Sequence, residues 1–178
     1  MSSPGFAIRH AGLGDLERLA VFAAQAFRDT YGDLDSPDDI EAYVGSELTP
    51  ASFEPHVDSP ESSLLVAELD GVVVGYALVA RSPAPPCVND LRAVELSRLY
   101  LGVEVQGKGY GAALLRAVHA EAGAFQATQI WLGVYDRNLR ARAFYRRWGF
   151  VDVGTRGFLF GGEVVEDPVM TSPVRLDV

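Results

Sequence analysis

The sequence predicts a mixed α/β fold, with one mostly antiparallel sheet flanked by helices on both faces, in a single domain spanning residues 1–178. The chain is 48% hydrophobic, enough to build one sizeable core. Strand-length apolar runs joined by tight turns such as Asp70-Gly71 favour antiparallel hairpins. The second half alternates strand and helix patterns, which favours parallel pairing there.

The first third of the chain is predicted to hold a strand followed by two main helices. Residues 6–9 form the strand, and apolar residues at helical spacing indicate a helix from about residue 11 to Tyr31-Gly32. Ser36 followed by Pro37 is a helix-start signal, and this second helix extends to about Leu48. Residues 49–50 repeat the signal for a short helix.

The rest of the chain is predicted to supply most of the sheet. Strands are expected at residues 63–69, 72–80, 93–101, 129–134, 151–160 and 164–171, and helices from about residue 112 and over 138–148. Prolines stiffen the loop over 82–86. The predicted order is β-α-α-β-β-β-α-β-α-β-β.

Composition excludes several classes of protein. The net charge of −9 argues against nucleic-acid binding and weakly favours cationic small molecules, although acidic chains are ordinary. No apolar run approaches ~18 residues, and residues 1–5 lack a secretory-signal pattern, so no membrane association is expected. Cys87 is the only cysteine and cannot form an internal disulfide. A cytoplasmic protein without a metal is the expectation.

A glycine-rich turn is predicted between the strand over 93–101 and the helix that follows it. Residues 106–111 read Gln-Gly-Lys-Gly-Tyr-Gly, and Lys108 is the only lysine of the chain. Backbone amides at a helix N-terminus can hold a diphosphate, and glycine lets it approach closely. Neither a P-loop nor a complete dinucleotide-binding pattern is present. The alternative is a flexible turn without a ligand.

The helix over 138–148 carries Asn138 and, seven residues later on the same face, Tyr145. Ala141 lies between them and keeps that face low enough for an elongated ligand. The alternatives are a simple N-cap for Asn138 and a core aromatic for Tyr145. Arg142 and Arg146 stand four residues apart and should repel by ~0.2–0.5 kcal/mol, which a nearby anion would relieve. A solvated basic face is the plainer interpretation.

In sequence, order and separation the two segments resemble motifs A and B of the GCN5-related N-acetyltransferases (GNAT), from about Glu95 to Phe150. Residues 95–101 are similar to a version common in the small-molecule amine branch, including spermine/spermidine-like members, and residues 27–32 look like the acceptor-side helix. The resemblance implies the acyl-CoA N-acyltransferase fold. It also implies direct transfer of acetyl from acetyl-CoA, as cosubstrate, to a primary amine of a small molecule.

The resemblance also implies roles for individual residues. Backbone at Leu99 and Leu101 would bind the pantetheine arm and the thioester carbonyl, and Asn138 would contact the same arm. Tyr145 would lie beside the thioester sulfur as an acid. The pyrophosphate would be held by Gln106, Gly107, Lys108, Gly109, Tyr110 and Gly111. Leu101 stands where valine is frequent, and Val103 where proline is frequent.

Glu95 is the candidate base, acting directly or through water, or else an anchor for a cationic acceptor. An exposed strand-end carboxylate is the alternative. The variable acceptor region contains Tyr31 and the acidic residues Asp33, Asp35 and Asp38. An acidic patch there could attract polyamines, although acidic loops are ordinary. The expected partner is a small-molecule amine and neither nucleic acid nor membrane, with a homodimer left open. The alternative functions are acetylation of protein N-termini or lysines and non-catalytic acyl-CoA sensing.

Overall fold

The computed structural model describes residues 5–176. Residues 1–4, which carry most of the segment judged to lack a secretory signal, lie outside this range. Among the described residues, no helix is both long and apolar enough to cross a membrane. The elements are β1 Phe6–His10, α1 Leu16–Tyr31, α2 Pro37–Glu47, α3 Pro50–Phe53, β2 Ser62–Leu69, β3 Val72–Ala80, β4 Ala93–Leu101, α4 Tyr110–Ala124, β5 Gln129–Gly133, α5 Leu139–Arg147, β6 Val151–Phe160 and β7 Glu163–Pro173.

The strands form one seven-stranded sheet in the order β1-β2-β3-β4-β5-β7-β6, which confirms the predicted mixed and mostly antiparallel sheet. Only β4 and β5 pair in parallel. The wider prediction of parallel pairing in the second half is therefore wrong for β5 and β6. Because β7 returns from the β6–β7 hairpin and inserts between them, it pairs antiparallel with both.

Both faces of the sheet are covered by helices, as predicted. In β2, Leu64 and Val66 pack with α1, α2 and α3 in one cluster, whereas Leu65 and Ala67 pack with α4 and α5 in the other. Alternate residues of a strand point to opposite faces, so a strand buried on both faces is apolar throughout. The burial of residues 62–67 is explained by this double cover.

An irregularity in β4 changes which of its residues share a face. Leu78 pairs with Arg98 but Val79 pairs with Leu96, so Ser97 is an extra residue in β4. A bulge of this kind breaks the strict alternation of a strand. Consequently Glu95 lies on the same side of the sheet as Arg98 and lines the same cavity.

Strands β4 and β5 pair over a short stretch and then separate. The parallel pairing joins residues 93–95 to residues 129–131 and goes no further. Beyond Glu95, β4 continues to Leu101 with β3 on one side and no strand on the β5 side. The sheet therefore has an internal open edge, and the glycine turn follows directly from it.

Candidate active site

The glycine turn has backbone geometry suited to an anion. Gly107 and Gly109 have φ of 77° and 89°, in the left-handed region that favours glycine. A Cβ at either position would meet nothing within 4 Å, so backbone conformation and not crowding requires glycine. The amides of residues 106–109 donate to no backbone carbonyl of the described residues. These donors stand at the start of α4, where the positive end of the helix dipole lies.

The remaining predicted residues of the turn contribute in different ways. Gln106 donates from Nε2 to the Leu101 carbonyl at 3.0 Å, so its side chain ties the turn to the end of β4. A Cβ on Gly111 would lie 3.1 Å from Leu101 Cδ1, and glycine there permits close packing of α4 on β4. Lys108 is exposed, and Tyr110 opens α4 with its ring 4.3 Å from that of Phe6.

The open edge of β4 carries the two leucines predicted to bind the pantetheine arm. Leu99 and Leu101 are half-buried and pack towards the core beneath α4 and α5. Their backbone beyond the last β4–β5 pair has no strand beside it on that side. An extended ligand can add to such an edge as a strand does, through main-chain hydrogen bonds.

Asn138 serves first as the N-cap of α5. Its Oδ1 accepts from the Ala141 amide at 3.1 Å. Burial raises the pKa of Tyr31, while hydrogen bonds with Tyr100 and Asn138 act in the opposite direction. Because the cap uses only Oδ1, the capping role of Asn138 is compatible with a ligand contact by its amide nitrogen.

Tyr145 is a core aromatic as far as its ring is concerned. It is 8% exposed, and its ring lies 5.4 Å from those of Phe144 and Phe150. The hydroxyl has no hydrogen-bond partner among the described residues, yet it is not one of their fully enclosed polar atoms. Burial raises the pKa of Tyr145 well above its ordinary value, and the neighbouring Tyr31 adds to this rise. The hydroxyl is therefore a proton donor throughout the neutral range.

The predicted repulsion between Arg142 and Arg146 is relieved within the protein. Asp152 forms salt bridges with both arginines, from Oδ1 to Arg142 Nη2 at 3.4 Å and from Oδ2 to Arg146 Nη2 at 2.8 Å. Asp136 Oδ1 lies 3.1 Å from Arg142 Nη1. A bound anion is therefore not needed to hold these two arginines together. The plainer interpretation of a salt-bridged, solvated face accounts for them.

A cavity of about 280 Å³ opens beside the upper half of β4, on the side of α1 and α2. The β6–β7 hairpin lines one side of it with Phe158 and Phe160, whose rings lie 6.4 Å and 6.0 Å from that of Tyr43. Aromatic rings, carboxylates and two arginines line it: Phe27, Tyr31, Asp35, Tyr43, Glu47, Glu95, Ser97, Arg98, Tyr100, Gly133, Tyr135, Arg156, Phe158, Phe160, Val165 and Asp167. A broader depression of about 390 Å³ between His10, His56 and Glu121 includes neither β4 nor the glycine turn.

The predicted acceptor residues divide between the cavity and the surface. Tyr31 and Asp35 line the cavity, whereas Asp33 and Asp38 are exposed and do not. Asp35 accepts from the Tyr135 hydroxyl at 2.9 Å. This hydrogen bond fixes the α1–α2 connection against the segment after β5. The acidic loop is thus partly structural, and only Asp35 of its carboxylates faces the cavity.

Glu95 is buried, at 9% exposed, so it is not an exposed strand-end carboxylate. Arg156 donates to its Oε1 from Nη1 at 3.0 Å. The Arg156 guanidinium also lies 5.2 Å from the centre of the Trp131 ring, in the range of a cation–π contact. Glu95 is therefore an ion-paired carboxylate in the wall of the cavity.

The cavity residues that sequence analysis missed include Asp167, Arg156 and the hairpin aromatics Phe158 and Phe160. Asp167 is 6% exposed, and its Oδ1 has no hydrogen-bond partner among the described residues. Burial raises the pKa of Asp167 to about 6, and the charge of Arg156 opposes this rise. The only signal in the sequence is that Asp167 stands directly before the run Pro168-Val169-Met170, which the structure buries. The pattern of β7 does not show what that acid faces.

These features fit an acyl-CoA substrate on one side of β4 and an acceptor on the other. Free amides at a helix N-terminus suit a diphosphate, the open edge of β4 suits an extended arm, and Tyr145 can donate a proton. The cavity meets the same stretch of β4 from the opposite side.

Comparison with known proteins identifies the class. A model of the Acetyltransferase (GNAT) family matches residues 23–150. An uncharacterized N-acetyltransferase of Mycobacterium tuberculosis is 38% identical over 156 residues, which are 88% of this chain and 96% of that protein. The chain therefore belongs to the GNAT family and is an acyltransferase that uses acetyl-CoA.

More distant matches share the fold or part of the chain. The crystal structure of the PaiA N-acetyltransferase of Thermoplasma acidophilum with coenzyme A has a TM-score of 0.77 and 22% identity, covering 97% of this chain and 99% of that one. The N-alpha-acetyltransferase RimI of M. tuberculosis is 32% identical over 66% of this chain and 71% of its own length. The spermine/spermidine N(1)-acetyltransferase of Bacillus subtilis is 30% identical over 46% of this chain and 54% of its own.

Proposed function

We propose that this enzyme transfers acetyl from acetyl-CoA to a primary amine on a small molecule, by direct attack of the amine. The observation that carries the proposal is the cavity beside the open edge of β4, which the aromatic residues of α1, α2 and the β6–β7 hairpin line. Its volume of about 280 Å³ is just below the range of about 300–1,000 Å³ that is usual for ligand pockets, which favours a small acceptor. A protein acceptor would be better served by an open groove.

The residues predicted from the sequence take complementary parts in this proposal. The amides of residues 106–111 hold the diphosphate, and the β4 edge at Leu99 and Leu101, with Asn138, holds the pantetheine arm. Bound acetyl-CoA supplies an acetyl group activated as a thioester. Tyr145 gives a proton to the leaving sulfur, a contribution typically of about 10²–10⁴ in rate.

The charges of the cavity favour a cationic acceptor. Glu95 is paired with Arg156, and Glu47 lies 3.7 Å from Arg98. Asp35 and Asp167 also line the cavity, and neither forms a salt bridge with another described residue. Glu95 then anchors the ammonium group or accepts its proton through water. A polyamine fits this pattern, and a match with the B. subtilis spermine/spermidine enzyme supports it over less than half of the chain.

A second candidate is acetylation of a protein N-terminus. The match with RimI covers 66% of this chain, more than the match with the spermine/spermidine enzyme. A peptide would place its N-terminal amine in the cavity, beside the carboxylates that line it. Peptide acceptors therefore belong in the first experiment.

The experiment measures thiol release from acetyl-CoA with spermidine, tyramine, kanamycin, free amino acids, a peptide with N-terminal alanine and a lysine peptide. We expect turnover with a small amine and little with either peptide. Turnover with the alanine peptide alone would establish the second candidate. Acetyl-CoA binding by calorimetry without turnover on any amine would instead favour a non-catalytic sensor.

A further inference from the structure

Asp167 occupies a distinctive place at the junction of the sheet and the cavity. Val169 pairs with Gly133, the last residue of β5, so Asp167 lies beyond the end of β5 where β4 and β5 have separated. Its side chain lines the cavity and is more than nine-tenths buried. A buried carboxylate oxygen without a donor is costly unless a ligand supplies one.

The charged and titratable groups around Asp167 come from every neighbouring element. Arg156 is its cross-strand partner on β6 and the nearest opposite charge. Arg156 is also engaged by Glu95, so it does not neutralise Asp167 alone. The charges of Asp136 after β5 and Glu166 on β7 also act on Asp167. The other titratable groups of the cavity are Tyr31, Asp35, Tyr43, Glu47, Glu95, Arg98, Tyr100 and Tyr135.

Resting on the proposed function, we propose that Asp167 receives the ammonium group of the acceptor and takes its proton. One proton moves from the ammonium nitrogen to the Asp167 carboxylate, and the freed lone pair forms the bond to the thioester carbonyl carbon. The carbon–sulfur bond breaks, and its electron pair leaves with sulfur. Tyr145 donates its hydroxyl proton to the departing sulfur, and the second proton lost by nitrogen as the amide forms restores the Tyr145 hydroxyl. Asp167 returns its proton to water, so acetylated amine, free CoA thiol and one proton are produced.

Asp167 suits this step better than an ordinary carboxylate. An alkylamine has a reference pKa of about 10.4, against about 3.9 for Asp, so proton transfer to an ordinary Asp is steeply unfavourable. Burial that raises the pKa of Asp167 to about 6 narrows that gap while leaving the carboxylate ionised at neutral pH. Glu95, held by Arg156, serves as the anchor.

The test compares Asp167→Asn, Glu95→Gln and Glu166→Gln, using the fastest amine of the panel above. Glu166 is the matched control, because it is the exposed neighbour of Asp167 on β7. For the wild type we expect kcat/KM to rise with pH through about 6 and then level off. In Asp167→Asn that limb disappears, kcat/KM near neutral pH falls by about 10²-fold or more, and activity recovers partly in alkali where free amine accumulates. Glu95→Gln keeps the limb, and Glu166→Gln keeps both the limb and the wild-type rate, with at most a small shift of the limb to lower pH.

Two readouts do not depend on turnover. Carbon NMR of labelled aspartate should show Asp167 titrating near pH 6. Because the folded-state pKa of Asp167 is raised, its ionisation lowers the free energy of unfolding as pH rises from about 4 to about 6. Asp167→Asn removes this cost and should therefore raise Tm at neutral pH. Acetyl-CoA affinity should not change. If the wild type acetylates an amine and Asp167→Asn keeps the same rise of kcat/KM with pH, the role of Asp167 is overturned and the proposed function stands. If no amine is acetylated by the wild type, the proposed function fails and this step with it.

Discussion

At the scale of a single residue, Tyr145 combines a ring packed in the core with the hydroxyl that we propose as a proton donor. Its ring packs between Phe144 and Phe150, while its hydroxyl finds no partner among the described residues. Packing therefore fixes the position of the hydroxyl without using its proton. A donor held in this way needs no rearrangement when a negative charge develops nearby.

Replacing Tyr145 with Phe should lower kcat by about 10²-fold or more, with acetyl-CoA affinity changed by less than about threefold, because the ring stays and only the donor is lost. The measurement is steady-state kinetics with calorimetry of acetyl-CoA binding. Tyr76→Phe is the control. The Tyr76 hydroxyl is also buried and has no hydrogen-bond partner among the described residues, but Tyr76 does not line the cavity. Equal kcat in Tyr145→Phe and the wild type would exclude the proton-donor role.

At the scale of elements, the junction of β4, the glycine turn and α4 is the proposed cofactor side. Gln106 ties the turn to the last residue of β4, and Gly111 lets α4 pack on Leu101. The bulge at Ser97 belongs to the same strand and rotates Glu95 and Arg98 onto one face. In the proposed enzyme, one strand thus presents backbone to acetyl-CoA and charged side chains to the acceptor.

Gly109→Ala should weaken acetyl-CoA binding by about tenfold, because a non-glycine residue at its φ of 89° costs about 1–2 kcal/mol and the turn shifts to relieve it. Calorimetry gives the affinity. Gly71→Ala is matched to it, since Gly71 has a φ of 81° and equally open surroundings in the β2–β3 turn. That control should lose similar stability and keep its affinity. An equal loss of affinity in both variants would contradict an anion-binding role for the glycine turn.

At the scale of the whole molecule, an ionic cluster joins β1, α1 and β2. Asp15 accepts from Arg9 Nη1 at 2.7 Å and from Arg18, and Glu68 accepts from both arginines. Hydrogen bonds from Arg9 hold the pKa of Asp15 well below its usual range, against the opposing effect of burial. This cluster sits away from the cavity and stabilises the N-terminal strand and helix against the sheet.

Asp15→Asn should lower the free energy of unfolding by about 1.5–3 kcal/mol at neutral pH. The lower end is expected because the Arg9 and Arg18 side chains are 40% and 43% exposed. With a depressed folded-state pKa, the contribution is complete above about pH 4 and is lost as pH falls further. Urea unfolding at several pH values measures this difference.

Glu17→Gln is the control for that experiment, because Glu17 is exposed in the same helical turn and forms no salt bridge with the described residues. It should change the free energy of unfolding by less than about 0.5 kcal/mol. A difference between the Asp15 variant and the wild type that persists undiminished at the lowest pH would contradict the ionic origin of the stabilisation.

The sequence by itself determined the order of the elements, the mixed sheet and the glycine turn. Apolar periodicity, caps and glycines act over a few residues, and the chain records them directly. The placement of Asn138 and Tyr145 on one helical face follows from the same local geometry.

Only the tertiary structure decided the contents of the acceptor cavity. The insertion of β7 between β5 and β6 brought Asp167 and Arg156 to Glu95, across about sixty to seventy residues of sequence. The bulge at Ser97 reversed the alternation of β4, so the face of Glu95 could not be deduced by counting residues. Long-range strand order and register depend on the packing of the whole sheet, and no local pattern encodes them.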